Sequence, residues 1–252
     1  MDINDIRNCA NYYQKNFLET FYIISTYSGK SFILIGEKAN FPHLVGIAKS
    51  TYNSNGYRKP TNLYNDIISG KNVNTKVVPR NIATTSKMFK KVKNFHNMTD
   101  VFWNNHGTLA INYNSSLSST CLDNVDILLS DLTTGYMLGW KINKSIPINA
   151  EIKSQKYCIS SWIDENGSSQ RQKEKYMPNQ NIDLIRYILS FDKNSNLIRK
   201  KEYKFTSVQK VDILKSIANN NSNLLLDSSN EHYYIKIAKT NQISCRINNV
   251  QQ

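Results

Sequence analysis

The sequence predicts an α+β fold: an N-terminal helix and hairpin, a group of short helices, then antiparallel strands. Three observations predict it. Apolar residues recur at helical spacing at the start of the chain. Two strand-like runs then flank a glycine-centred turn. From residue 108 onward, six apolar runs follow one another with turn residues between them. Strands and helices do not alternate regularly, as they would in a doubly wound sheet.

Each element has its own signal. Ile6, Ala10, Tyr13 and Phe17 share one face of a helix over residues 5–18. FYIIS (21–25) and FILIG (32–36) flank TYSGKS, whose Ser28-Gly29 suits a hairpin turn because glycine adopts positive φ without strain. Pro42 then ends strand pairing, since it cannot donate to a ladder. PTNLYNDIISGKN (60–72) reads as a short helix with Leu63, Tyr64, Ile67 and Ile68 inward and Gly70 as its C-terminal cap. Residues 86–98 read as a second, basic helix with Met88, Phe89, Val92 and Phe95 on one side. Strands follow at 108–113, 125–131, 135–142, 157–164, 183–191 and 197–205, then a helix at 208–218 and a strand at 233–238. The polar stretch 165–181 reads as a loop. Residues 1–190 are expected to form the main domain, with 191–252 as C-terminal strands and a helix of the same domain.

Charge is concentrated. The 252 residues carry a formal net charge of +13, and from Lys38 to Lys93 eleven Lys or Arg face a single acid, Asp66. Such a window attracts phosphate backbones by steering and counterion release; a merely solvated basic surface has the same composition. The start MDINDIRN is polar and acidic and reads as no signal peptide, and no window approaches the ~18 apolar residues of a membrane span. Cysteines 9, 121, 158 and 245 form no CxxC pair and read as reduced thiols of a cytoplasmic protein.

Few groups can do chemistry. The histidines are 43, 96, 106 and 232. His96 on the basic helix, His106 in NNHGT and His232 at a strand start need no special explanation. His43 stands apart in FPHLVGI (41–47), fixed by Pro42, bracketed by Phe41 and Leu44, and placed where the basic window opens. It reads equally as a core histidine bonded to a carbonyl and as a general base or acid. No HExxH, EF-hand or Cys/His cluster is present, so no metal is expected. No phosphate loop or GxSxG elbow occurs, so no cofactor is expected either. Metal-independent RNA cleavage remains, because a base, an acid and some cations suffice for it. Lys49 and Arg58 join His43 as candidate catalytic residues. Lys59, Lys87, Lys90, Lys91, Lys93 and Tyr57 are candidate nucleic-acid contacts, since unpaired bases stack on rings beside cations. Ser118, Ser119 and Thr120 are further hydroxyl donors.

FILIGEKANFPHLVGI, LYNDIISGK, the helix carrying Phe89 and Phe95, VDILLSD and YMLGWKI together resemble a phage-associated nuclease-like family of the barnase–EndoU–colicin–RelE (BECR) type, over roughly residues 12–190. The resemblance implies N-terminal helices followed by a curved antiparallel sheet whose face holds the site. It also implies a metal-independent ribonuclease-like activity from a phage or mobile element, with His43 as the motif histidine. The expected partner is nucleic acid, RNA in particular. The rival reading is a non-catalytic phage-encoded protein that binds or inhibits a host defence nucleoprotein complex through the same basic surface; no membrane partner is expected.

Overall fold

Asp2 starts the first helix, α1 (Ile3–Tyr13). Its carboxylate accepts from the backbone N–H groups of Asn4 and Asp5, and the Asp5 carboxylate accepts from the Asp2 N–H in return. This is a computed structural model, described for residues 1–117, 122, 124–131, 134, 136–143, 155–163, 176 and 180–209, and for the backbone of three later strands. The α1 residues Ile6, Cys9, Ala10 and Tyr13 are buried, and a π-helical turn (Gln14–Leu18) adds Phe17 to the same face.

The hairpin forms where its turn residues place it. β1 (Thr20–Thr26) and β2 (Ser31–Ile35) pair antiparallel with Tyr22 opposite Leu34, and Gly29 takes φ +83° between them. Short helices follow: α2 (Phe41–Leu44), α3 (Lys49–Ser54), α4 (Pro60–Ile68), α5 (Lys87–Lys93) and α6 (Asp100–Trp103). Gly70 has φ +77° just beyond α4, as a C-terminal cap requires. The helix expected over 86–98 is instead two pieces. Asn94 leaves the helical region at φ −106°, ψ 11°, and Phe95–Thr99 continues as a 3-10 helix.

The remaining barrel strands are β3 (Thr108–Asn112), β4 (Ile127–Asp131), β5 (Met137–Ile142), β6 (Gln155–Ile163) and β7 (Asn181–Asp192). Their order is β1-β2-β6-β5-β4-β3-β7, and β7 pairs back onto β1. The sheet expected to be curved and antiparallel is therefore a closed seven-stranded barrel. It is also mixed, because β2 and β6 run parallel with Leu34 opposite Tyr157. Closure is made possible by the length of β7. Its first residues pair with β3 (Ile182 opposite Ile111), and its later ones pair with β1 (Ile188 opposite Ile24). β8 (Leu197–Glu202) takes up the edge of β7 beyond β3, with Leu189 opposite Lys200. β7 thus runs through residue 190, the expected limit of the main domain. β9 (Leu224–Asp227), β10 (His232–Ile237) and β11 (Ser244–Asn248) form a meander that meets β7 at Cys245 opposite Ile182. Most of the helix expected at 208–218 and of the loop at 165–181 lies outside the described residues.

Strand alternation divides the core in two. Ala110, Ile127, Leu129, Leu138 and Trp140 join the helices in the larger cluster, while Leu109, Ile111, Leu128 and Met137 belong to a smaller one on the opposite face. In the larger cluster Phe17 lies against Tyr22, Phe102 and Trp140, and Tyr22 stacks on Phe102 at 4.4 Å. No helix among the described residues is long and apolar enough to cross a membrane.

Candidate active site

FPHLVGI is a single helical turn and its exit, rather than a simple bend. Pro42 sits in the first turn of α2, where the missing N–H costs nothing. The turn is closed by its own backbone: Val45 N–H donates to the Phe41 carbonyl at 3.1 Å, Gly46 N–H to that of His43 at 3.0 Å, and Ile47 N–H to that of Pro42 at 2.8 Å.

Phe41 holds this turn to the helices. Its ring centroid lies 5.6 Å from Tyr13 of α1, 5.3 Å from Tyr64 of α4 and 5.8 Å from Phe95 beyond α5. The entry to the turn is tied separately at Glu37. The Tyr13 hydroxyl donates to the Glu37 carbonyl at 3.0 Å, and Asn143 Nδ2 donates to Glu37 Oε1 at 2.8 Å. Asn143 Nδ2 also lies 2.9 Å from the buried Cys158 Sγ, linking the turn to β6.

The exit from the turn rests on α5. Gly46 has φ +89°, and a β-carbon there would lie 3.0 Å from the Met88 α-carbon and 3.2 Å from its nitrogen. Only glycine meets both demands. Ser86 caps α5, its Oγ accepting from Phe89 N–H at 3.0 Å, so the start of α5 is fixed as well.

The product of this packing is the setting of His43. Phe41, Pro42 and Leu44 are buried, whereas His43 is exposed, and its imidazole makes no hydrogen bond among the described residues. Partial burial of the ring, and then the ammonium groups of Lys91 and Lys87, hold its pKa below the ordinary histidine value. Lys91 is only 7% exposed, and Lys87 is exposed. The lowered pKa favours the neutral ring near pH 7, and the two lysine charges act on it. A neutral imidazole can accept a proton, and ammonium groups can neutralise a phosphate whose charge grows during reaction.

The other expected site residues are dispersed. Lys49 begins α3, and Arg58 and Lys59 lead into α4; all three are exposed, and neither Lys49 nor Arg58 is among the charges acting on His43. Lys90 and Lys93 lie exposed on α5. Tyr57 is half-buried, and burial first and then the charge of Asp66 raise its pKa. His96 is exposed against Tyr12 at 4.7 Å, and His106 is exposed. Ser118, Ser119, Thr120 and the His232 side chain lie outside the described residues. The sequence places Lys87 and Lys91 among general nucleic-acid contacts, and it shows Phe41 and Gly46 framing His43 without showing what either packs against. The glycine three residues after the histidine was the available signal of a close backbone approach.

Comparison with known families decides the relationship. Residues 5–186 match the family described as phage-Barnase-EndoU-ColicinE5/D-RelE like nuclease4. The chain belongs to that family. No curated protein and no solved structure matches it significantly. Membership in the nuclease4 family carries a nuclease-type function and nucleic acid as the partner. The match takes in the whole FPHLVGI turn, α5 and all the barrel strands up to the middle of β7.

Proposed function

We propose that this member of the nuclease4 family cleaves RNA without a metal ion, with His43 as general base. The observation that carries this reading is the exposed imidazole on a turn that rests on the helix of Lys87 and Lys91, whose charges help lower its pKa. His43 takes the proton of a ribose 2′-hydroxyl. The freed oxygen attacks the adjacent phosphorus, the bond to the 5′-oxygen breaks, and water at the open face returns a proton to that leaving oxygen. The products are a 2′,3′-cyclic phosphate and a 5′-hydroxyl. Lys91 and Lys87 offset the charge that builds on the phosphate, the role first assigned to Lys49 and Arg58. Lys49, Arg58, Lys59, Lys90 and Lys93 contact backbone phosphates further along the strand. Metal independence is supported by the local chemistry: the charges acting on His43 are cations, which repel a divalent metal.

The test is cleavage of end-labelled RNA in excess EDTA by the wild-type protein and by a folded His43→Ala protein. Cyclic-phosphate ends from the wild type alone are expected. No cleavage by the wild type, with salt-sensitive RNA binding by both proteins, would replace this reading with that of a non-catalytic binding protein.

A further inference from the structure

Away from His43 the fold builds a second basic feature. A groove of about 850 Å³ lies between the start of α1, the link from α3 to α4, and the segment that follows α4. Its size is that of a small-molecule site. Its walls include Arg7, Lys71 and Arg80, against one carboxylate, Asp66. His43 does not line it.

Each cation is held differently. Arg7 is fixed across the groove wall: its Nε donates to the Ile67 carbonyl at 3.1 Å and its Nη1 to Asn4 Oδ1 at 3.0 Å. The other N–H groups of this guanidinium make no hydrogen bond among the described residues. Arg80 makes no ion pair or hydrogen bond through its side chain among the described residues and is exposed. Lys71 stands 3.6 Å from Asp66, so that carboxylate is already matched. Tyr57 lines the same wall, partly buried against the core. Val73, only partly buried, adds an apolar contact surface.

We infer that this groove binds one phosphate-bearing nucleotide unit of a single-stranded RNA, with Tyr57 stacking on the base and Arg7 and Arg80 on the phosphate. The choice of RNA rests on the proposed ribonuclease activity; the shape and charge of the groove do not. Two guanidinium groups with spare donors match phosphate oxygens in a way that ammonium groups do not. A ring already held by packing against the core gives a stacking surface at little entropic cost. The groove would then hold the strand at a point remote from the bond being cut and set which nucleotides reach His43.

The experiment is fluorescence anisotropy with a fluorescein-labelled 12-nucleotide single-stranded 2′-O-methyl RNA, which lacks the attacking hydroxyl and stays intact, and the full chain, across a salt series. Wild type is compared with Arg80→Glu and Tyr57→Leu, each checked for folding by circular dichroism. Arg80→Glu is expected to weaken binding about tenfold and to lower the salt slope by about 0.7, the share of one phosphate on a single strand. Tyr57→Leu is expected to weaken it roughly fivefold or more, the loss of a stacked base. Adenosine monophosphate should displace the strand at concentrations where inorganic phosphate does not; equal displacement by both would overturn the role of Tyr57. Binding of Arg80→Glu and Tyr57→Leu within twofold of wild type would overturn the inference, and so would a wild type that does not bind. The two readings separate cleanly. A wild type that cleaves nothing but needs Arg80 and Tyr57 to bind leaves the groove standing. An Arg80→Glu protein that binds and cleaves as wild type removes the groove and leaves the activity.

Discussion

The backbone of Gly46 rests on that of Met88, so closely that a β-carbon at position 46 would sit 3.0 Å from the Met88 α-carbon. This contact joins the turn that carries His43 to the helix that carries Lys87 and Lys91. Replacement by alanine must both hold φ +89° with a side chain and part the two backbones. Gly46→Ala is expected to cost at least roughly 1–2 kcal/mol for the backbone conformation alone. In thermal unfolding this is a Tm lower by about 2–8 °C. Cleavage should fall further than the loss of folded protein explains, because the imidazole moves away from its cations.

His43→Ala should reduce RNA cleavage by about 10²–10⁴-fold, the usual contribution of a general base. His43 is exposed and its side chain makes no hydrogen bond among the described residues, so the variant should keep its Tm within a few degrees. A loss of Tm in step with activity would assign the residue to packing instead.

The pH dependence follows from the depressed pKa of His43. The base must be neutral, so kcat/KM should fall at acid pH along a limb whose midpoint lies below 6.5. Stability follows the same sign. The folded state binds this proton more weakly than the unfolded state does, so the contribution is lost as pH falls below 6.5 and is restored above it. A pH–rate profile and urea melts between pH 5 and 8 check both.

Lys91 and Lys87 should be visible through His43. Burial is the first cause of its low pKa, Lys91 the second and Lys87 the third. Lys91→Met and Lys87→Ala should each raise the His43 pKa, Lys91→Met the more. Titration of the imidazole C–H signals by NMR reads this directly, and the acid limb of the rate profile should move up with it. No movement in either variant would place both ammonium groups too far away to act on a bound phosphate.

Cys158, buried beside Asn143 and Glu37, has its thiol pKa pushed up to about 12, first by burial and then by Glu37. Cys9 is also held near 12, mainly by burial. Both should resist iodoacetamide at pH 8 in the folded protein and react once urea is added. Peptide-level mass spectrometry distinguishes them from the other two cysteines.

Local elements were legible in the sequence because their signals are local. Gly29 marked the first hairpin, Gly70 the end of α4, and the apolar runs from residue 108 gave the strands. Closure of the barrel was not legible. It depends on which distant edges meet, and nothing in FILIG says that it will run parallel to KYCIS. The site divided in the same way. His43 could be found because histidine is scarce and this one follows a proline. Its cations could not, because closeness in sequence suggested Lys49 and Arg58, whereas folding delivers Lys87 and Lys91 from a helix some forty residues away. The buried position of Lys91 ran against its place in an otherwise solvated lysine run.

The long strand β7 has a consequence for synthesis. It is the last barrel strand to leave the ribosome, and it alone supplies partners to both β1 and β3. Until it emerges, those two strands keep open edges, which in a nascent chain invite pairing with other chains. Ring closure must also join the first and last barrel strands, a contact of high sequence separation that forms slowly. The nuclease therefore completes its scaffold only when nearly all of the family-matched segment has been made, well after the histidine and its lysines have been translated.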